Sequence, residues 1–129
     1  MLSFSSATLL LPIQKKFSYA FIGKGNCQNS SGIPFDQCGG VAPTRADCEA
    51  FADESPDAIG YYYSTVNATL AGDFRCRLVF SAGVVTKNSD CASQTTMNTT
   101  DSSNIFWNET KGPIVSADGF CPTDCYKRL

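Results

Sequence analysis

Sulfur chemistry constrains this chain more than any other feature of its sequence. Seven of its 129 residues are cysteine and none is histidine. The cysteines lie at positions 27, 38, 48, 76, 91, 121 and 125, without the paired C-x-x-C knuckles of a zinc domain. A zinc site without histidine would need four of them to converge. Disulfide bonds are the better interpretation, and they indicate an oxidising compartment.

N-glycosylation sequons point to the same secretory route. The four tripeptides begin at Asn29, Asn67, Asn98 and Asn108. We predict glycosylation at these asparagines and a secreted, extracellular protein. A loop composition that is simply rich in Ser and Thr is the alternative origin of such tripeptides.

Length and charge exclude several classes of protein. A chain of 129 residues has room for one domain. With 43% hydrophobic residues and a net charge of -2, it is too apolar for disorder and too acidic for a protein that binds phosphate backbones. Without histidine, the Ser-His and Cys-His nucleophile pairs and the usual near-neutral general base are absent. We predict no nucleic-acid partner, no cofactor, no metal and no catalysis.

Residues 1–16 are interpreted as a leader or a truncated signal segment. The apolar run from Leu9 to Ile13 is too short to span a bilayer, so we predict no membrane span. Lys15 and Lys16 follow this run, whereas the basic residues of a secretory signal precede it. The Ala20-Phe21 junction is similar to the signal cleavage site of plastid-targeted proteins in complex algae, which makes the plastid lumen the alternative location. A gene model that lost its true start is another alternative.

Residues 17–129 are predicted to form a single α+β domain. Alternating apolar residues predict strands over 17–22, 58–64 and 74–80, and a short closing strand over 125–129 that lies beside the first. Residues 26–43 have the composition of a loop stapled by cysteines or of an irregular hairpin. A long polar loop is predicted at about 86–110.

One helix is predicted after Thr44, which is placed as its N-cap. Cys48, Phe51 and Ala52 recur at helical spacing as the buried stripe, and Pro56 ends the helix. If the apolar side chains of the strand over 74–80 pack inward, Cys76 faces the core beside Cys48. A Cys48–Cys76 bridge would then staple the helix to the sheet and contribute about 3–4 kcal/mol.

The order of these elements resembles the PAN/apple superfamily, and more closely the secreted PAN-like domains common in algal genomes. The resemblance covers about residues 17–129 and depends on the order of short motifs. These are Tyr19-x-Phe21-Ile22-Gly23-x-Gly25-x-Cys27, Asp36-x-Cys38, Asp47-Cys48-Glu49, Ile59-Gly60-Tyr61, Cys76-x-Leu78 and Cys125-Tyr126-Lys127.

This resemblance implies one α-helix packed on a curved antiparallel β-sheet, with a helix-to-strand disulfide that matches Cys48 and Cys76. It also implies a bridge between the ends of the domain, which would join Cys27 to Cys125. Members of the family bind proteins or carbohydrates outside the cell. An odd seventh cysteine departs from the pattern and leaves the partners of Cys38, Cys91 and Cys121 open.

A recognition patch is predicted on the sheet face away from the helix. Arg75 and Arg77 are expected to point to that face, and either the face of the neighbouring strand that carries Tyr62 or its opposite face lies beside them. Arginine forks bind carboxylate or sulfate groups, and tyrosine rings stack on sugars or apolar side chains. Trp107 is a candidate contact at a loop tip. Polar strand residues without a ligand, and an aromatic cluster that anchors its own loop, are the alternatives.

Other constellations favour structural roles. Cys121 and Cys125 are separated by three residues and are interpreted as bridge-forming rather than as a redox or metal pair. Asp53, Glu54 and Asp57 are interpreted as a solvated helix terminus and not as the acid pair of a glycosidase. The odd cysteine is either buried and free or joined to another chain.

The sequence therefore predicts a non-catalytic extracellular binding or adhesion module that recognises a protein or glycan ligand. The alternative is a structural subunit packed into a larger assembly, such as a cell-surface filament, a matrix or a plastid complex.

Overall fold

A computed structural model describes residues 15–64, 75–99, 101–120 and 122–129. Its elements, in chain order, are β1 (Tyr19–Lys24), β2 (Cys27–Gln28), β3 (Asp36–Gly40), α1 (Arg45–Glu54), β4 (Gly60–Ser64), β5 (Cys76–Phe80), α2 (Asn88–Gln94), a 3-10 turn (Asp101–Ser103), β6 (Ser116–Ala117) and β7 (Thr123–Arg128). The described chain is thus a small α+β domain.

The main sheet is antiparallel, with strand order β1-β7-β4-β5-β3. The first and last strands are neighbours, as predicted, with Tyr19 opposite Arg128 and Phe21 opposite Tyr126. A register shift between Phe21 and Gly23 marks a bulge, and β1 continues past it to Lys24, beyond the predicted end of the strand.

Helix α1 packs on one face of the sheet, mainly against β4 and β5. The Thr44 side chain caps it and accepts a hydrogen bond from the backbone N–H of Asp47 at 3.1 Å, which confirms the predicted N-cap. Cys48 and Ala52 are buried as the helical spacing predicted. The helix ends at Glu54, before Pro56.

Three disulfides connect six of the seven cysteines. The bridges Cys48–Cys76 and Cys27–Cys125 are both present, with Cα atoms 5.4 and 5.3 Å apart. A third bridge joins Cys38 to Cys91, two cysteines whose partners the sequence left open. The remaining cysteine, Cys121, lies outside the described residues. Because Cys125 is bonded to Cys27, it does not pair with Cys121.

The predicted loop at about 86–110 is not irregular throughout. It contains α2 and the 3-10 turn, and it forms bridges from Ile105 to Gln37 and from Thr99 to Gly40. Cys91 is the buried residue of α2, so the helix lacks the apolar stripe by which a sequence pattern reveals a helix. The single helix implied by the resemblance is accordingly joined by a second.

The sheet face opposite α1 is covered, which corrects the prediction of an open patch there. The two-stranded sheet β2-β6 lies on this side, and Phe35 and Ile114 pack with Tyr62 and Val79 in a second buried cluster. Gly60 lies where there is no room for a side chain, because a Cβ there would clash with the backbone carbonyl oxygen of Tyr126 and with Ile114. The domain therefore has a core on each side of its sheet.

Candidate functional site

The predicted patch of Tyr62, Arg75 and Arg77 does not form an open surface. Tyr62 lies opposite Arg77 in the sheet but is only 6% exposed, and its burial raises the pKa of the phenol. The Arg77 guanidinium donates to Gln37 Oε1 at 3.2 Å and to the Ser103 carbonyl at 3.0 Å. These bonds stabilise the packing of β5 against β3 and the 3-10 turn.

Arg75 and Trp107 lie elsewhere. Arg75 donates to the hydroxyl of Tyr63 at 3.3 Å, on the α1 side of the sheet. Trp107 is half exposed beyond β3, at the opposite edge from β1. Its loop is fixed by Asp36, whose Oδ1 accepts the backbone N–H groups of Trp107 and Asn108 at 2.7 and 2.8 Å. Of the four predicted ligand contacts, Tyr62 and Arg77 are neighbours in the sheet, whereas Arg75 and Trp107 lie apart from them.

The predicted glycosylation sites differ in their surroundings. Asn98 and Asn108 are exposed. Asn29 is half-buried, and its Oδ1 accepts the backbone N–H groups of Ser31 and Ile33. Asn67 lies outside the described residues.

The three acids at or after the end of α1 bind two other parts of the chain, the residues before β1 and the end of α2. Asp53 accepts the backbone N–H groups of Lys16 and Phe17 at 2.7 and 2.9 Å. Glu54 accepts hydrogen bonds from Thr95 and Thr96, and Asp57 accepts one from Gln94. Each carboxylate has a structural hydrogen-bonding role.

A row of aromatic rings crosses three strands on the α1 side of the sheet. Tyr126 in β7 stacks on Tyr61 in β4, with ring centroids 4.9 Å apart and planes 10° apart. Phe21 in β1 contacts the Tyr126 ring at 5.6 Å between centroids, and Tyr19 meets Tyr61 edge-on at 5.4 Å. Tyr61 is buried, whereas Phe21 at the sheet edge is 56% exposed.

Helix α1 places two charged side chains against this row, one helical turn apart. The Arg45 guanidinium lies 5.1 Å from the centroid of the Tyr126 ring, and its Nη1 donates to the Tyr61 hydroxyl at 2.8 Å. The same nitrogen donates to Glu49 Oε1 at 3.1 Å. Tyr61 donates its own proton to that oxygen at 2.6 Å. Arg45 is thereby held in one orientation.

The surroundings of Glu49 and Tyr61 determine which of the two groups is charged. Burial opposes ionisation of Glu49, but hydrogen bonds from Lys15 and Tyr61 outweigh it and hold the pKa of the Glu49 carboxyl below its usual value. Burial, followed by the adjacent Glu49, raises the pKa of Tyr61 far above its usual value. At neutral pH Glu49 is therefore an anion, and Tyr61 is a neutral donor.

The border of the aromatic row presents positive charge outward. Ion pairs join Lys15 and Arg45 to Glu49, and Lys24 to Asp124. The cationic side chains are 51%, 46% and 57% exposed, whereas Glu49 and Asp124 are only 19% and 16% exposed. We call this region the cationic aromatic surface and define it by Lys15, Phe21, Lys24, Arg45 and Tyr126.

No pattern in the sequence indicated this site. Its strands were predicted, but the alignment of Phe21, Tyr126 and Tyr61 depends on cross-strand register. Arg45 lies next to the N-cap Thr44, in the first turn of the predicted helix, and no pattern indicated which strand it would meet.

A cleft of about 430 Å³ lies apart from this surface, between the turn after α1, the end of β7 and Ile114. Two of its charged lining residues, Asp57 and Arg128, are already hydrogen-bonded within the domain. The cleft is therefore a weaker candidate for a binding site than the cationic aromatic surface.

Comparisons with protein-family models, curated proteins and solved structures give no match to this chain. Among the residues that the structure describes, no group of His, Cys, Asp or Glu is placed to hold a metal ion. Within the same ranges, no helix has the length and apolar character needed to cross a membrane.

Proposed function

We propose that this protein is a non-catalytic extracellular binding module of PAN/apple-like type, and that it recognises a protein or carbohydrate through the cationic aromatic surface. The observation that carries this proposal is the exposure of Phe21 at the end of a stacked aromatic row, beside an arginine that the domain itself holds in place.

The composition and rigidity of the surface support a role in binding. Tyrosine, phenylalanine and arginine are enriched at protein interfaces, and tyrosine and arginine often dominate the binding energy. Arg45 is oriented before any partner arrives, which reduces the entropy lost on association. Two disulfides hold elements that carry the surface, because Cys27–Cys125 bonds β7 and Cys48–Cys76 bonds α1.

Carboxyl chemistry supports a non-catalytic role. A general acid working near neutral pH needs a raised pKa. In Glu49, Glu54 and Asp118 burial alone would raise the pKa, but hydrogen bonds outweigh it and lower the value. At Asp90, hydrogen bonds from Thr86 lower it. These four acids are suited to accept hydrogen bonds as anions.

The secretory location is supported by the three disulfides and by the exposure of the sequon residues Asn98 and Asn108. Both features suit an extracellular glycoprotein.

The test first identifies a binding partner and then measures how substitutions in the domain change the affinity for it. Immobilised domain is used on a glycan array and in a pull-down of secreted proteins, and each bound species is titrated against variants. We expect Phe21→Ser to weaken binding about tenfold or more, because it removes an aromatic contact. Val115→Ser, at an exposed residue on the β6 side, is the matched control and should leave affinity unchanged.

Trp107→Ser tests the other predicted contact. Loss of binding with Trp107→Ser and not with Phe21→Ser would move the site to the loop beyond β3. A domain that binds neither glycan nor protein would overturn the proposal. Recovery of the native protein only as a fixed subunit of a large assembly would instead support the structural alternative.

A further inference from the structure

Arg45 keeps an unused pair of donors. A guanidinium carries five N–H groups, and its Nε and Nη2 edge matches the two oxygens of a carboxylate. In the part of the chain that the structure describes, Arg45 donates through Nη1, to Tyr61 and Glu49. The side chain is 46% exposed, and within the same described residues no hydrogen bond engages Nε or Nη2.

The charge of Arg45 is only partly offset. Glu49 accepts Arg45 on Oε1 and Lys15 on Oε2, at 3.1 and 2.5 Å. One carboxylate is therefore shared by two cations, and this point of the surface carries a net positive charge. An incoming carboxylate would complete the charge balance.

The edge of the sheet beside this point favours a polypeptide partner. The Leu129 N–H donates to the Ser18 carbonyl at 2.9 Å, which identifies Ser18 as a residue that hydrogen-bonds toward β7. Since antiparallel ladders alternate, the backbone groups of Tyr19 and Phe21 point away from β7, toward the outer edge. An extended peptide can pair with such an edge, and a polysaccharide has no equivalent ladder.

We propose that the partner is an acidic polypeptide segment that lies along β1, with an Asp or Glu carboxylate on the Nε–Nη2 edge of Arg45 and an apolar side chain against Phe21. This inference rests on the proposed function of the cationic aromatic surface. It adds the chemical class of the partner and gives Arg45 the role of its carboxylate-binding residue.

The experiment uses a random peptide library displayed on phage and selected on the immobilised full chain. We expect the selected sequences to be enriched in Asp or Glu near an aromatic or aliphatic residue. Synthetic copies are then titrated against the protein by fluorescence anisotropy. Arg45→Lys keeps the charge but loses the planar fork, so affinity should fall about tenfold.

Two controls separate recognition from folding. Arg75→Lys is the matched variant, because Arg75 also donates to a tyrosine hydroxyl, and it should bind normally. Replacing the peptide's acid by its amide leaves the domain untouched and should cause a similar loss. In the Arg45→Lys background, the same peptide change should have little further effect.

The outcomes distinguish the two proposals. If Phe21→Ser abolishes binding and Arg45→Lys does not change it, the surface is correct and the carboxylate role is overturned. Selected peptides without acidic residues would also overturn it. Binding to uronate or sulfated glycans on the array, with no peptide selected, would overturn the polypeptide class. Peptide binding that neither variant changes would overturn both proposals.

Discussion

Glu49 connects the segment just before β1, helix α1 and the aromatic row. It accepts hydrogen bonds from Lys15, Arg45 and Tyr61. Because its pKa is lowered in the folded state, its stabilisation is present above its ordinary value and is lost as the pH falls through the lowered one. We expect Glu49→Gln to lower the free energy of unfolding by about 1–3 kcal/mol near neutral pH.

The difference between Glu49→Gln and the native protein should shrink as the pH falls through the lowered pKa of Glu49, because the native carboxyl is then protonated too. Denaturant unfolding at a series of pH values measures it. Glu109→Gln, at an exposed position, is the control substitution and should change stability little. A Glu49→Gln deficit that stays constant down to acid pH would contradict the role assigned to the ionised carboxylate.

The residues just before strand β1 are bound to helix α1. The buried Asp53 carboxylate accepts the N–H groups of Lys16 and Phe17, and the Phe17 ring lies 3.7 Å from the guanidinium carbon of Arg128. Cleavage at Ala20-Phe21 would remove these partners and the first two of the six residues of β1. We expect a chain that begins at Phe21 to be at least about 3 kcal/mol less stable than one that begins at Lys15.

Thermal unfolding of the two truncated chains, side by side, makes this comparison. A measured loss of this size would argue against processing at Ala20-Phe21. Equal midpoints would show that the Asp53 contacts do not matter and would restore that junction as a processing site.

At the scale of the whole molecule, the disulfides close loops of very different length. Cys27–Cys125 spans 98 residues, Cys38–Cys91 spans 53 and Cys48–Cys76 spans 28. Loop-closure entropy predicts losses of about 4.7 kcal/mol for the longest bridge and about 3.6 kcal/mol for the shortest, when each pair is replaced by alanine. Chemical denaturation of the double variants tests this order.

A non-reducing peptide map tests the pairing itself. It should recover three cross-linked peptide pairs with these six cysteines. A peptide that joins Cys121 to any of the six would contradict this pairing. A protein without Cys48–Cys76 that is less stable than one without Cys27–Cys125 would contradict the order predicted from loop length.

Local patterns in the sequence revealed much of the fold. Strand alternation, the Thr44 cap and the stripe containing Cys48 depend on neighbours a few residues away, and the structure confirms each of them. The Cys48–Cys76 bridge followed from the same patterns, because each cysteine lies on the apolar side of its own element. The Cys27–Cys125 bridge came from the resemblance and is also present.

The register of distant strands and the covering of the sheet could not be obtained in this way. Cys38 meets Cys91 through a helix with no apolar stripe, and Tyr62 is buried by β2, β6 and Ile114, which are far from it in the chain. Phe21, Tyr126 and Tyr61 align because β7 returns between β1 and β4. Periodicity indicates which side chains share a face of an element, but long-range packing determines which elements meet and which faces remain exposed.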